Sequence, residues 1–255
     1  MEHSAAIDVS LELSSVCVVD AAGKIVREAK VASEPEALVG RFRGSGLNYA
    51  RIGLEAGPLS QWLHAGLVEA GFVVVLLETR HVKAALKAMT VKTDRNDARG
   101  MAQPLRMGWF RPVHAKALPA QEIRALLTAR KLLQGKLHNI ELGLRGVLRG
   151  FGLKVGQVGK ARYEAHIREP VAGQPMLEAL AEAMLRARAA LKAEFAVLHR
   201  RLLGIAREDA VCRRLMTVPG VGAVVAVTYE TAIDDPGRFK HSKEVGPYLG
   251  LPPRK

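Results

Sequence analysis

Four acidic residues occupy positions from which they could hold metal ions. Asp8 stands in the strand-like segment Ile7-Asp8-Val9-Ser10, and Glu55 directly follows a second apolar segment, ARIGL. Asp94 and Asp97 lie in KTDRNDA, and their spacing of three residues places both on one face at the start of a helix. Clustered carboxylates repel one another unless cations neutralise them, and their hard oxygen atoms suit Mg²⁺ or Mn²⁺.

Such a cluster predicts phosphodiester chemistry. Two ions about 4 Å apart can activate a water or hydroxyl and stabilise the leaving oxygen. Taken singly, Asp94 could cap a helix, Asp97 could face its dipole and Glu55 could be a surface turn residue. In this order on an α/β pattern, however, the four acids describe the RNase H-like nuclease arrangement. We therefore predict Asp8, Glu55, Asp94 and Asp97 as catalytic residues and as ligands of Mg²⁺ or Mn²⁺.

The elements that must position these acids are strands and helices in residues 1–115. Two β-branched runs flank a Gly-containing turn at 20–24, which predicts a β-hairpin within residues 6–31. The next elements are a strand at 50–54, a helix at 60–70, a buried strand at 72–77, and helices at 81–89 and 94–107. This order predicts an α/β domain with a mixed sheet.

Residues 120–210 have a different pattern, that of an α-helical linker. Apolar residues at helical spacing predict long helices at 121–148 and 176–205, with a Gly-rich segment at 151–159 between them. Two such helices predict an antiparallel hairpin or a coiled coil. Dimerisation and a nucleic-acid-binding arm are both compatible with this pattern.

The last predicted segment, 211–255, contains the helix-hairpin-helix pattern LMTVPGVGAVVA at 215–226. The glycines Gly220 and Gly222 would let backbone N–H groups at a helix N-terminus approach a phosphate. A plain helix–helix turn is the alternative. We predict contact with nucleic acid at both glycines.

The charge of the chain predicts a polyanionic partner, most simply nucleic acid. The formal net charge is +13, and residues 121–255 have 23 basic against 13 acidic residues. The basic residues that we predict to contact nucleic acid are Lys92, Arg95, Arg99, Arg238, Lys240 and Lys243. The alternative interpretation is that these residues form a solvated surface.

Several classes of protein are disfavoured by composition. The sequence has neither an apolar run of the roughly 18 residues that a membrane helix needs nor a secretory signal. Its two cysteines, Cys17 and Cys212, make no disulfide framework, which predicts a reducing cytoplasm. The absence of a CxxC or HxxxH cluster argues against zinc.

The sequence resembles the DEDD transposases of bacterial insertion sequences, relatives of the Piv/MooV DNA invertases. The matching segments are IDVS, LEAG, KTDRNDA, LMTVPGVGAVVA and GRFKHSKEVGPYLGLPPRK. The resemblance implies a RuvC-like N-terminal domain, a helical linker and a C-terminal transposase domain, with Asp8, Glu55, Asp94 and Asp97 as the metal-binding tetrad. It also implies a DNA partner, a structured guide RNA as in some members, and a cytoplasmic, nucleoid-associated location. From the long helices we further expect a homo-oligomer.

The resemblance departs from the family pattern at the C-terminus. Members of the family continue past the GLxPR segment into a region with a serine nucleophile, whereas this sequence ends at Lys255; Ser242 does not match that serine. We therefore expect a truncated, frameshifted or partial copy of a transposase. A Holliday-junction-resolvase-like nuclease and a non-catalytic nucleic-acid-binding remnant are the main alternatives, and an actin/chaperone-like ATPase is a third.

Overall fold

A computed structural model describes residues 2–78, 93–156, 158–159 and 161–251. The chain divides into two compact units, Met1–Lys116 and Ala117–Lys255. The helix predicted at 81–89 lies outside the described residues. In the described part of the chain, none of the helices combines the length and apolar character that crossing a bilayer requires.

The first unit is built on a six-stranded mixed sheet in the order β3-β2-β1-β4-β5-β6. Strands β1, β4 and β5 are parallel, while β2, β3 and β6 run antiparallel to their neighbours. This arrangement confirms the predicted α/β, RNase H-like mixed sheet. The strands are β1 (Glu2–Asp8), β2 (Leu13–Val19), β3 (Ile25–Ala32), β4 (Asn48–Glu55), β5 (Val74–Leu77) and β6 (Pro112–Val113).

The predicted hairpin around residues 20–24 is present, but the apolar run before it forms two strands. The chain turns at 9–12, so that β1 and β2 pair antiparallel with Asp8 opposite Ser15. A buried hydroxyl pair holds this turn: Ser14 and Ser33 hydrogen-bond through their Oγ atoms at 2.7 Å, and the Ser33 hydroxyl donates to the Ser10 carbonyl at 2.7 Å.

Helices cover both faces of the sheet. The helices are α1 (Pro35–Arg43), α2 (Ser60–Glu69) and α3 (Asp94–Met107). Alternate residues of β1 serve the two faces, since Ile7 packs with residues of α1 and α2 while Ala6 packs with residues of α3. Gly53 of β4 lets α3 approach closely, because a Cβ there would lie 2.9 Å from a methyl group of Leu105.

The second unit is helical. Its helices are α4 (Leu118–Gly150), α5 (Tyr163–Val171), α6 (Pro175–Glu208), α7 (Ala210–Leu215), α8 (Ala223–Ile233) and α9 (Val245–Tyr248). The long helices α4 and α6 run antiparallel, as predicted, because Arg130 bonds His199 while Glu141 bonds Arg188. The division into segments 120–210 and 211–255 stays a prediction.

A buried arginine joins three helices of the second unit. Arg188 of α6, whose side chain is 3% exposed, bonds Glu141 of α4 at 2.8 Å and Glu164 of α5 at 3.2 Å. Its guanidinium also lies 4.5 Å from the centre of the Tyr163 ring. Two carboxylates and an aromatic face thus compensate for the removal of this charge from water.

We expect Arg188→Ala to destabilise the protein by about 3 kcal/mol, because it leaves two carboxylates without their shared cation. Urea unfolding followed by circular dichroism measures this loss. Arg186→Ala is the matched control, since Arg186 is exposed on the same helix, and a change of about 0.5 kcal/mol or less is expected there. Equal losses in both variants would contradict the role assigned to Arg188.

Candidate functional site

The carboxyl ends of β1 and β4 bring two of the predicted acids together. These parallel strands are in register with Ile7 opposite Leu54, so that Asp8 and Glu55 are the next residues at the same edge. Both lie on the face that α3 covers, because each is two residues beyond a position that packs towards α3, Ala6 or Gly53. Asp8 and Glu55 are therefore neighbours across the sheet.

Helix α3 brings the other two acids to the same edge of the sheet. At its C-terminal end, Gln103 and Arg106 donate hydrogen bonds to the carbonyls of Gly23 and Ala21, in the β2–β3 turn at the amino end of β1. The helix therefore runs opposite to β1, and its first turn lies towards the carboxyl end. Thr93 caps this first turn by accepting a bond from the Asn96 N–H group at 3.2 Å.

The two helix acids differ in how far the structure describes them. Asp97 is half-buried and stands one turn before the buried Met101. Asp94 is the first residue of α3, and its side chain is outside the described part of the structure. Among the described side chains, no group of three His, Cys, Asp or Glu is placed to hold a metal ion. The four-residue metal site accordingly stays a prediction.

The surroundings of Asp8 and Glu55 suit a hard cation. The carboxylates offer oxygen ligands, which Mg²⁺ and Mn²⁺ prefer. A cleft of about 400 Å³ opens at this edge between residues 9–11 and residues 55–59. Glu55 lines this cleft, so its carboxylate borders open space, and carboxylate donors of this kind suit a divalent ion.

Arg95 and Arg99, which the sequence predicts as nucleic-acid contacts, both bind Glu28 of β3. Arg95 donates from Nε at 2.9 Å and from Nη2 at 2.5 Å, and Arg99 donates from Nε at 2.5 Å and from Nη2 at 2.8 Å. These hydrogen bonds lower the pKa of Glu28 to about 2, against the opposing effect of its burial. This cluster, the Glu28 clamp, fastens the first two turns of α3 to the sheet.

The predicted contacts near the C-terminus have varied surroundings. Gly220 has a φ of +86°, which favours glycine, and Gly222 precedes the first residue of α8. Arg238 donates to the carbonyls of Ile233 and Ala232 at the end of α8, and its guanidinium lies 4.2 Å from the ring centre of Tyr248. Lys240 and Lys243 are exposed, and Lys92 lies outside the described residues.

The sequence analysis missed three residues that lie on the same face of the sheet as Asp8. Ser15 is paired with Asp8, Lys30 is paired with Ser15 on the next strand, and Glu28 binds the arginines of α3. The available signal was the Ser14-Ser15 pair inside an otherwise apolar strand, since a buried hydroxyl needs a partner.

Comparisons with known proteins match the chain to two transposase families. A family described as transposase, of the DEDD and IS110 type, matches residues 5–152. A second, described as the transposase IS116/IS110/IS902 family, matches residues 212–255. Two solved structures of Thermus thermophilus RuvC each match 44% of the chain. The structure in complex with a Holliday junction substrate has a TM-score of 0.34 and 16% identity over 100% of RuvC. The second structure has a TM-score of 0.33 and 17% identity over 99% of RuvC.

Curated relatives cover most of the chain. A transposase for insertion sequence element IS1111A of Coxiella burnetii is 24% identical over 98% of it. A probable family 20 transposase of Pseudomonas aeruginosa is 27% identical over 80%, and the putative transposase y4qE of Sinorhizobium fredii is 30% identical over 78%. The chain spans 68%, 61% and 49% of the lengths of these three relatives.

The low pKa of Glu28 predicts a pH-dependent contribution of the Glu28 clamp to stability. Because the pKa falls from its ordinary 4.5 to about 2 on folding, the clamp stabilises fully above about pH 4.5 and is lost as the pH falls towards 2. Glu28→Gln should therefore lower the urea midpoint at pH 7 and have a smaller effect at pH 3.

Urea titrations of the wild type and Glu28→Gln across this pH range measure the effect. Glu12→Gln, which removes an exposed carboxylate from the same unit, is the control. A loss of stability in Glu28→Gln that is equal at pH 7 and pH 3 would contradict the clamp.

Proposed function

The chain belongs to the DEDD transposases of the IS110 type, and we propose that its first unit cleaves DNA strands at the carboxyl edge of the sheet. The observation that carries this proposal is the adjacency of Asp8 and Glu55 at the ends of two parallel strands. The first turn of α3, with Asp94 and Asp97, is directed to the same edge. The matched relatives are transposases of insertion sequences or related transposases.

We propose Asp8, Glu55, Asp94 and Asp97 as the ligands of Mg²⁺ or Mn²⁺. A bound divalent ion lowers the pKa of a coordinated water and polarises a phosphoryl oxygen. The chain's own contribution is to hold the carboxylates rigidly. Asp8 and Glu55 are fixed by the strand ladder, and the acids of α3 are fixed by the cap at Thr93 and by the Glu28 clamp. The open cleft beside Glu55 admits the strand to be cleaved.

The proposed partners follow from the charge distribution of the second unit. Its excess of basic residues favours sequence-independent contact with phosphates, and the glycines of the α7–α8 turn, with Lys240 and Lys243, are the proposed contacts. A structured guide RNA presents the same phosphates, so we include it among the proposed partners. Acting on DNA, the protein would work at the bacterial nucleoid.

We also propose self-association through the long helices. Apolar side chains of α4 and α6 are exposed within the second unit, including Leu132 at 59%, Leu142 at 50% and Val197 at 47%. A helix pair that leaves such side chains in water has further apolar surface to bury. A second copy of the chain is the proposed occupant, and sedimentation velocity measures the association.

The metal site predicts a sharp loss on removing either strand acid. We expect Asp8→Asn and Glu55→Gln each to reduce metal-dependent cleavage of DNA at least about 100-fold, since even indirect partners of metal ligands contribute 10–100-fold. Nicking of supercoiled plasmid and cutting of a four-way junction, each with Mg²⁺ or Mn²⁺, measure the rate. Calorimetric titration with Mn²⁺ gives a second readout, in which both variants should lose the binding seen in the wild type.

Glu36→Gln is the control, because Glu36 is exposed on α1, on the opposite face of the sheet. Full activity and Mn²⁺ binding in Asp8→Asn would contradict the proposed site. Cleavage confined to the four-way junction would favour a resolvase-like nuclease. Binding of DNA that needs no metal, without cleavage by the wild type, would favour the non-catalytic alternative.

A further inference from the structure

A row of polar residues runs across the sheet from Asp8 of β1 to β3, the outermost strand. Ser15 of β2 is paired with Asp8 of β1, and Lys30 of β3 is paired with Ser15. All three lie on the face covered by α3, because Cys17 and Glu28, two residues away on β2 and β3, face α3. Neighbouring strands are about 4.8 Å apart. Ser15 is therefore one strand from Asp8, and Lys30 is two.

The Ser15 hydroxyl is buried without a partner. The residue is 4% exposed, and its Oγ atom has no hydrogen bond within the described part of the chain. Burial alone does not explain this, because the neighbouring Ser14 is fully buried and bonds Ser33 at 2.7 Å. A buried hydroxyl that lacks a partner destabilises a protein. Among the described residues, the Ser15 hydroxyl is therefore a hydrogen-bond donor that a ligand could satisfy.

A small pocket lies beside this hydroxyl. It has a volume of about 260 Å³ and is lined by Ser15, Lys30, Glu28 and Arg95, among others. Arg95 uses Nε and Nη2 to bind Glu28, so its Nη1 lies outside that pair, and its side chain is 66% exposed. The single carboxylate of Glu28 is shared by Arg95 and Arg99. The charged side chains that line the pocket, Lys30, Arg95 and Glu28, sum to a net positive charge.

We propose that this pocket binds a backbone phosphate of DNA next to the cleavage site. The Ser15 hydroxyl donates a hydrogen bond to a phosphate oxygen, Lys30 supplies its ammonium group, and Arg95 supplies Nη1. A charged, hydrogen-bonded phosphate satisfies the orphan hydroxyl and the two cations together. The proposal rests on the proposed function, and it adds a residue set that positions the strand relative to Asp8.

Binding of a labelled, mixed-sequence DNA duplex to the full chain, without divalent metal, tests this pocket. Fluorescence anisotropy across a range of salt concentrations gives the affinity and its salt slope. We expect Lys30→Gln to weaken binding about tenfold near 0.1 M salt and to reduce the slope by about 1, because one phosphate contact is lost. Ser15→Ala should weaken binding about tenfold with an unchanged slope, because the hydroxyl is neutral.

Two further measurements distinguish a contact in this pocket from a general loss of positive charge or of stability. Lys24→Gln removes the same charge from the β2–β3 turn, at the opposite edge of the sheet, and should leave affinity and slope unchanged. The free Ser15→Ala protein should unfold at a temperature equal to or higher than that of the wild type, because it no longer buries an unpaired hydroxyl.

Several results would overturn the pocket. Wild-type affinity in both Lys30→Gln and Ser15→Ala would do so, as would equal losses in Lys24→Gln and Lys30→Gln. A lower unfolding temperature of Ser15→Ala would assign the hydroxyl a structural role instead. In these three cases the loss of cleavage in Asp8→Asn would still support the proposed function. A wild type that binds no DNA would overturn both proposals.

Discussion

The packing of α3 on the sheet is the interaction on which the candidate site depends. Close approach is possible because Gly53 leaves room for Leu105, and the helix is held at both ends, by Glu28 near its start and by the turn carbonyls near its finish. The direction of the helix decides that its acidic first turn meets the carboxyl edge of β1. A helix packed in the opposite direction would place the same acids far from Asp8.

The fold could be predicted from the sequence where the local pattern was unambiguous. Apolar β-branched runs, turn residues and long helical periodicities located the hairpin, β4, β5 and the two long helices to within a few residues. The separation of β1 from β2 was missed, because the turn at 9–12 contains neither Gly nor Pro and is held by the distant Ser33. Helix α1 was also missed, because it has only nine residues and includes Gly40, although Leu38 and Phe42 are buried at helical spacing.

The sequence likewise predicted the candidate site only in part, and the charged residues show where prediction failed. The types and spacing of the acids identified the carboxylates of the candidate site. The parallel register of β1 and β4 then showed that Asp8 and Glu55 are adjacent. Charge alone did not distinguish among the arginines. Arg95 and Arg99 bind a carboxylate 67 and 71 residues away, and Arg238 caps the helix that precedes it. Such partners are properties of the tertiary structure, which one sequence does not reveal.

Arg188 and Ser15 are both buried polar residues, and they differ in whether the protein itself satisfies them. In the helical unit, Arg188 is enclosed by two carboxylates and an aromatic ring, so its charge is satisfied within the protein and serves stability. In the sheet unit, the Ser15 hydroxyl is equally buried but has no partner in the described residues, although Ser14 beside it does. A fold under no constraint but stability would place an apolar residue at position 15. A hydroxyl kept there, between a candidate metal ligand and a lysine, is better explained by a ligand that completes its hydrogen bond.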